Sequence, residues 1–157
     1  MHEKFIVGNR FCDSSKVKTI INPYTNSAIG EVYLAGESNF NESAEYLLNI
    51  SSEYERLPVY RKQDLLQSIS GKLKERKKEL AKIITDETGK PIRFSLIEID
   101  RAILTFSLGA EECSRIEGEV LDLARLKGSE GKTGIVKRFP VGMVLGITPW
   151  NFPVNLV

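Results

Sequence analysis

The residues with the clearest chemical potential lie near the carboxyl end of the sequence, in the stretch GITPWNFP at positions 146–153. Asn151 stands there between Pro149 and Pro153, and proline stiffens the connection because its φ is fixed and it has no N–H. A primary amide held in one place offers two N–H donors, which suits the stabilisation of a developing oxyanion. Alternatively, Asn151 only caps the helix that follows it. The spacing alone favours the cap and leaves both roles open.

Composition limits the classes of protein that can carry this motif. The 157 residues have a formal net charge of +1 and are 41% hydrophobic and 27% charged, which is ordinary for one soluble domain. Neither nucleic acid nor a membrane surface is expected as a partner, because the sequence has no basic excess and no polybasic apolar stretch. The apolar run 141–147 is too short to span a bilayer, and residues 1–11 lack the apolar core of a signal peptide. We therefore expect a cytosolic protein.

The cysteine and histidine content argues against several kinds of site. Cys12 and Cys113 are far apart and lie in no CxxC or Cys/His pattern, so reduced thiols are expected. His2 is the only histidine, so a histidine-based metal site or a Ser-His-Asp triad cannot be built from these residues, and no metal is expected. Helical spacing places Cys113 on a buried face, where we interpret it as a small core residue.

Strand and turn signals occur at both ends of the sequence. The stretch 5–11, FIVGNRF, has a Gly-Asn break that predicts a hairpin. The stretch 17–35 predicts two strands around the turn cluster 22–26. Further along, 119–126 and 134–139 alternate in polarity around a glycine-rich turn, which predicts a second hairpin or an extended arm.

Apolar periodicity predicts helices between these strands. The first should begin with Ser38 or Asn39 as its N-cap, and Pro58 should end it. Its apolar face would comprise Phe40, Ala44, Leu47, Leu48 and Tyr54.

The later helices carry two further expectations. A helical segment follows Pro58, bends or breaks within the basic stretch Lys72 to Lys78, which is interpreted as solvated, and is capped by Gly89. A last helix runs from about Ile92 to Ile116, and Glu98 and Arg101 should form an ordinary pair on its surface. Its apolar stripe would comprise Ile92, Leu96, Ile99, Ile103, Phe106, Ala110 and Cys113.

The segment 141–148, VGMVLGIT, is apolar on both sides, which is typical of a central strand in a parallel sheet. Parallel strands need crossover connections and further strands beside them, whereas only residues 154–157 follow the expected helix start. We therefore expect the front part of a larger α/β protein. Asn151 would then lie beyond the carboxyl end of a strand, where ligands bind in open α/β sheets.

Three motifs follow one another along the sequence: NPYTNSAIGEV near the start, ETGKP after a helix, and FPVGMVLGITPWNFPVNLV at the end. Together they resemble the NAD(P)-dependent aldehyde dehydrogenase family. The resemblance implies an α/β fold in which residues 1–118 are the N-terminal strand-plus-helix part of the coenzyme-binding domain. Residues 119–140 would be an oligomerisation-type hairpin, and 141–157 the first strand and helix start of an incomplete Rossmann-like core. The family's catalytic cysteine, general-base glutamate and coenzyme lysine would lie beyond Val157.

The resemblance also implies roles by position. Asn151 matches the amide that stabilises the oxyanion of a cysteine thiohemiacetal, and Ile147, Thr148, Pro149 and Trp150 match the strand end that lines the coenzyme site. The implied coenzyme is NAD or NADP, bound without a GxGxxG fingerprint, and the implied reaction converts an aldehyde to a carboxylic acid. The implied assembly is a homo-oligomer, either a dimer or a tetramer. The ending FPVNL favours a small polar aldehyde, such as lactaldehyde or a glyceraldehyde-type compound.

Two alternatives stay open. One is a non-catalytic truncated module that binds a partner chain or the coenzyme weakly, and the other is a relative that acts as an acyl-CoA or acyl-phosphate reductase. Residues 1–157 alone are expected to be inactive, because neither cysteine stands at a motif-matched position. They are also expected to be poorly stable or to self-associate, since an unpaired central strand exposes backbone groups and apolar faces.

Overall fold

The computed structural model describes residues 2–156, beginning with five short strands. These are β1 (His2–Glu3), β2 (Phe5–Val7), β3 (Arg10–Cys12), β4 (Val17–Ile21) and β5 (Ala28–Tyr33). Strands β2 and β3 pair antiparallel across the Gly8-Asn9 turn, where Gly8 has a φ of 60°, which confirms the predicted hairpin. The two strands predicted around residues 22–26 are confirmed as β4 and β5, which pair antiparallel, and β5 also pairs parallel with β1.

Four helices follow: α1 (Glu37–Glu55), α2 (Val59–Glu75), α3 (Lys77–Thr88) and α4 (Ile92–Glu112). The predicted N-cap of α1 is wrong, because Gly36 occupies that position and its N–H donates to Oδ1 of Asn39 at 2.9 Å. The predicted break in the basic stretch is confirmed at Arg76, and so is the cap at Gly89, whose φ is 72°. Helix α4 ends at Glu112, before the predicted Ile116.

The core lies where α4 packs across α2 and α3. It is formed by Ala81 and Ile84 of α3 with Ile99 of α4, and partly buried apolar side chains surround it: Leu80, Leu96, Ile103 and Val154. Small polar residues bridge the helices. The Ser70 hydroxyl donates to the backbone oxygen of Ile103 at 2.9 Å, and the hydroxyls of Thr85 and Ser95 are 2.8 Å apart. These hydrogen bonds satisfy polar groups that the close helix packing buries.

The predicted apolar stripe of α4 is only partly correct. Ile99 and Ala110 are buried, but Ile92 is exposed and Cys113 is half-buried. The centre of the buried face also includes a serine, a glutamate and an alanine: Ser95, Glu98 and Ala102. A glutamate on this face is unexpected, because burying a carboxylate costs free energy unless hydrogen bonds or an opposite charge offset that cost.

Helix α1 does not bury its predicted apolar face. Phe40, Leu47, Leu48 and Tyr54 are exposed, and among residues 2–156 the helix lies mainly against the β2–β3 hairpin, where Arg10 pairs with Glu42. Periodicity identifies side chains that share a face, whereas burial requires an element that covers the face. None of the described helices is long and apolar enough to cross a membrane.

The second hairpin is confirmed: β6 (Glu119–Asp122) pairs antiparallel with β7 (Thr133–Val136). Residues 137–149 have no regular secondary structure, so the strand expected over 141–148 is not formed here. A strand is held by a hydrogen-bonded neighbour, and within the described residues no other strand lies beside this segment. Its entry into a Rossmann-like sheet, and the division into 1–118, 119–140 and 141–157, stay predictions.

Candidate functional site

The motif around Asn151 at the end of the sequence forms a short turn against α4, here called the 150–156 turn. The N–H of Leu156 donates to the backbone oxygen of Phe152 at 3.3 Å, which is the hydrogen bond of a first helical turn. The helix start predicted at Phe152 and Pro153 is therefore present as one turn. Asn151 is the residue immediately before it.

A buried carboxylate of α4 holds this turn. The Glu98 residue is 1% exposed; its Oε1 accepts the N–H of Val154 at 3.0 Å, and its Oε2 accepts Nζ of Lys90 at 2.8 Å. The predicted surface pair of Glu98 with Arg101 is wrong, because the carboxylate lies inside the helix packing while Arg101 stays exposed. The signal that could have revealed this is the position of Glu98 beside Ser95, Ile99 and Ala102 on the buried face of the helix.

Lys90 reaches the same turn from the loop between α3 and α4. Its Nζ donates to the backbone oxygen of Asn151 at 2.6 Å and lies 4.7 Å from the ring centroid of Phe152. The ETGKP motif explains this placement, since Gly89 ends α3 in the left-handed conformation and Pro91 precedes the first turn of α4. Glycine and proline thus fix the two helix ends, and the lysine between them is directed at the turn.

Two further contacts anchor the 150–156 turn. The Val154 side chain packs against the core of Ala81, Ile84 and Ile99, and Oγ1 of Thr105 donates to Oδ1 of Asn155 at 3.3 Å. Polar and apolar contacts therefore both hold the 150–156 turn against the helices. The turn is an integral part of the α3–α4 packing.

The side chain of Asn151 does not cap the helical turn in this structure. A capping asparagine accepts an N–H from the second or third helical residue, which here are Pro153 and Val154. Pro153 has no N–H, and the N–H of Val154 is already bound by Glu98. No hydrogen bond among residues 2–156 engages the Asn151 amide, which is exposed at a surface cavity of about 460 Å³ shared with Lys90 and Phe152.

The other predicted site residues lie just before Asn151. Ile147, Thr148, Pro149 and Trp150 are exposed, and their backbone groups make no hydrogen bond within the described part of the chain. They do not line the cavity at Asn151. The two thiols are also elsewhere, with Cys12 on β3 and Cys113 at the end of α4.

The sequence of this chain was compared with those of known protein families and proteins. The model of the aldehyde dehydrogenase family matches residues 11–157. A 3-sulfolactaldehyde dehydrogenase of Priestia aryabhattai is 38% identical over 143 residues, which cover 88% of this chain and 28% of that protein. This chain thus spans less than a third of that relative's length.

Solved structures agree with the sequence match. Aldehyde dehydrogenase 21 from Physcomitrella patens, in complex with its reaction product succinate, superposes with a TM-score of 0.95 at 32% identity, over 99% of this chain and 32% of that one. The NADP-dependent glyceraldehyde-3-phosphate dehydrogenase from Bacillus halodurans, complexed with NADP, gives a TM-score of 0.94 at 26% identity, over 99% and 33%. Since the family match includes the loop with Lys90, the α4 helix and the 150–156 turn, the chain belongs to the aldehyde dehydrogenase family.

Proposed function

We propose that the protein to which residues 1–157 belong oxidises a small polar aldehyde to a carboxylic acid with NAD or NADP, and that the Asn151 amide is a donor of its oxyanion hole. One observation carries this proposal. The backbone N–H that an asparagine cap would satisfy is bound by Glu98, so the amide of Asn151 has no structural partner among the described residues.

The geometry suits an oxyanion donor in two respects. Such a donor must be neutral and held in place before charge develops, so that no reorganisation is needed during the reaction. The amide is neutral, and the backbone that begins at its own carbonyl is anchored by Lys90 and, three residues later, by Glu98. When a cysteine thiolate adds to the aldehyde carbon, the N–H of Asn151 would donate to the oxygen that becomes negative.

The coenzyme would lie against residues 147–150. These residues fit such a group because they are exposed and their backbone donors and acceptors are not engaged within residues 2–156. Ile147, Thr148 and Trp150 can offer backbone N–H groups, whereas Pro149 can offer only its carbonyl. A bound nicotinamide coenzyme supplies the hydride acceptor for the oxidation.

A small polar aldehyde is the proposed substrate class. The relative from Priestia aryabhattai acts, by its name, on 3-sulfolactaldehyde, a short and hydrophilic compound. The ending FPVNL of the present sequence favours the same class, with lactaldehyde and glyceraldehyde-type compounds as candidates. The proposed assembly is a homo-oligomer, in which the exposed β6–β7 hairpin would contribute to the subunit contact.

The first test compares Asn151→Ser and Asn151→Ala with the parent in the full-length protein. Loss of one oxyanion donor typically lowers kcat by about 10²–10³, or about 2.7–4 kcal/mol, whereas serine caps a helix about as well as asparagine. We therefore expect a large loss of kcat in both variants with the melting temperature retained. Asn155→Ser is the matched control, since it changes an asparagine of the same turn whose side chain bonds Thr105.

Two outcomes would contradict the proposal. Equal kcat for the parent and Asn151→Ser, measured also in single turnovers so that coenzyme release does not hide the effect, would leave Asn151 without a catalytic role. A thioester or acyl phosphate as the substrate or product, in place of a carboxylic acid, would favour the reductase alternative. Residues 1–157 alone should show no cysteine-dependent turnover, because neither Cys12 nor Cys113 lies at the Asn151 cavity.

A further inference from the structure

Lys90 and Glu98 form a nearly buried ion pair, which stability alone does not explain. The Glu98 side chain is 0% exposed and that of Lys90 is 18% exposed, with 2.8 Å between Nζ and Oε2. Burying two charges costs several kcal/mol per ion, and well-packed apolar residues of the same volume often stabilise a protein equally or better. An ion pair in this place differs from an apolar pair in one respect, namely that it hydrogen-bonds defined backbone atoms.

Those backbone atoms lie at the two ends of the short segment that follows the Asn151 Cα. Lys90 binds the carbonyl of Asn151, at the start of the helical turn, and Glu98 binds the N–H of Val154, three residues later. The two hydrogen bonds fix the peptide planes on either side of residues 152 and 153. The direction of the Asn151 side chain depends on its backbone, and these contacts hold the carbonyl end of that backbone.

The partners of Lys90 show that it acts on the backbone. An ammonium group has three N–H donors, and here it meets the Glu98 carboxylate, the Asn151 carbonyl and the face of the Phe152 ring at 4.7 Å. Glu98 likewise divides its two oxygens between Lys90 and Val154. Neither group has an atom directed at the Asn151 amide.

We propose that Lys90 and Glu98 are positioning residues, which hold the oxyanion donor Asn151 in its productive orientation. This inference rests on the proposed catalytic role of Asn151. A displacement of about 1 Å in a catalytic group can lower the rate by about 10²-fold, so loosening the 150–156 turn should reduce kcat although no reacting group is removed.

The first experiment tests the anchoring without using activity. Hydrogen–deuterium exchange of the Val154 amide is compared in the full-length parent, Glu98→Ala and Lys77→Met. Lys77 of α3 pairs with Asp100 of α4 at 2.7 Å. Lys77→Met is therefore a matched control, because it removes a different ion pair of the α4 helix. We expect at least about tenfold faster exchange in Glu98→Ala, since a lost backbone hydrogen bond of about 1.4 kcal/mol corresponds to that factor. Unchanged exchange in Glu98→Ala, or equally fast exchange in Lys77→Met, would overturn the proposal.

The second experiment asks whether the pair acts through Asn151. Lys90→Met is introduced into the parent and into Asn151→Ala, and kcat and the KM for aldehyde are measured well below the melting temperature. We expect kcat to fall about 10- to 100-fold in the parent with little change in KM, and not to fall further in Asn151→Ala. An equal loss in both backgrounds would show that Lys90 acts independently of Asn151.

A double variant separates positioning from folding. Lys90→Met leaves a buried carboxylate unpaired and is expected to lower stability, whereas Lys90→Met combined with Glu98→Gln removes both charges and should recover much of it. We expect kcat to stay low in the double variant. Recovery of kcat together with stability would overturn the positioning role. Full kcat in Asn151→Ser would instead contradict the proposed function, while the exchange of Val154 would still measure the anchoring.

Discussion

Two parts of the chain have similar apolar character but very different burial. In the helical unit of α3, α4 and the 150–156 turn, the core residues Ala81, Ile84 and Ile99 are at most 3% exposed. In the segment 119–149 no large apolar side chain is fully buried, and five are 76% to 89% exposed: Val120, Ile135, Phe139, Val141 and Ile147. Apolar sequence alone therefore does not determine which part forms a core.

This difference in burial follows from how helices and strands form their backbone hydrogen bonds. A helix forms its backbone hydrogen bonds within itself, so two helices joined by a short loop can bury a common face. A strand needs a neighbour for its backbone as well as cover for its side chains. The helical unit covers its apolar faces within residues 59–156, whereas the segment 137–149 has no paired strand within the described residues and its apolar side chains stay largely exposed.

The largest expected effect concerns the state of association. We predict that residues 1–157 produced alone self-associate or melt without cooperativity, because the segment 139–150 exposes adjacent apolar side chains. Analytical ultracentrifugation and thermal melting check this. Val141→Ser together with Ile147→Ser should reduce the association, and a cooperatively melting monomer without these changes would contradict the prediction.

The contrast in burial predicts unequal effects of the same substitution. Ile99→Ala should lower the free energy of unfolding by about 2–5 kcal/mol, since it leaves a cavity between α3 and α4. Ile147→Ala removes the same atoms from a side chain that is 89% exposed, so it should change the free energy of unfolding by at most about 0.5 kcal/mol. Denaturant unfolding of residues 1–157 measures both, and similar effects would contradict this contrast, whereas in the full-length protein the predicted entry of 141–148 into a sheet should bury Ile147 and raise its cost.

A smaller effect is expected where α3 ends. Gly89 has a φ of 72°, and a Cβ built on it would lie 2.8 Å from Cγ of Pro23 in the β4–β5 turn. Gly89→Ala should therefore destabilise the protein by about 1–3 kcal/mol. Gly71→Ala is the control with the opposite sign, since Gly71 lies within α2 with nothing near its Cβ position, and alanine should stabilise a helix interior there by about 0.5–1 kcal/mol. Two changes of the same sign would contradict this account of the loop.

The smallest effect should come from an exposed ion pair, in contrast to the Lys90–Glu98 pair. Arg76 donates to both carboxylate oxygens of Glu79 at 2.9 and 2.7 Å, and these hydrogen bonds lower the pKa of Glu79. A carboxyl whose pKa is lowered by folding adds stability above its unfolded pKa, and this is lost as the pH falls through the folded value. An NMR titration should find the Glu79 pKa below its ordinary value in the parent and near it in Arg76→Met. The same pKa in both proteins would show that the pair does not form.

The features of the fold and site that the sequence predicted correctly depend on residues that are close together in the sequence. The hairpin at Gly8-Asn9, the cap at Gly89, the helix break at Arg76 and the motif around Asn151 were all predicted from short stretches of sequence. The N-cap of α1 was missed by a few residues, because Gly36 can begin a helix without a capping side chain. Family membership also followed from motifs that are contiguous in the sequence.

The sequence by itself determined where the backbone turns and which family the chain belongs to, because turns, caps and contiguous motifs depend on neighbouring residues. Only the tertiary structure decided which faces are covered and what Lys90 and Glu98 bind. The hydrogen bond from Lys90 to Asn151 joins residues 61 positions apart, and that from Val154 to Glu98 joins residues 56 apart. No local preference encodes such contacts, since they form only when two helices and a distant turn pack around one core.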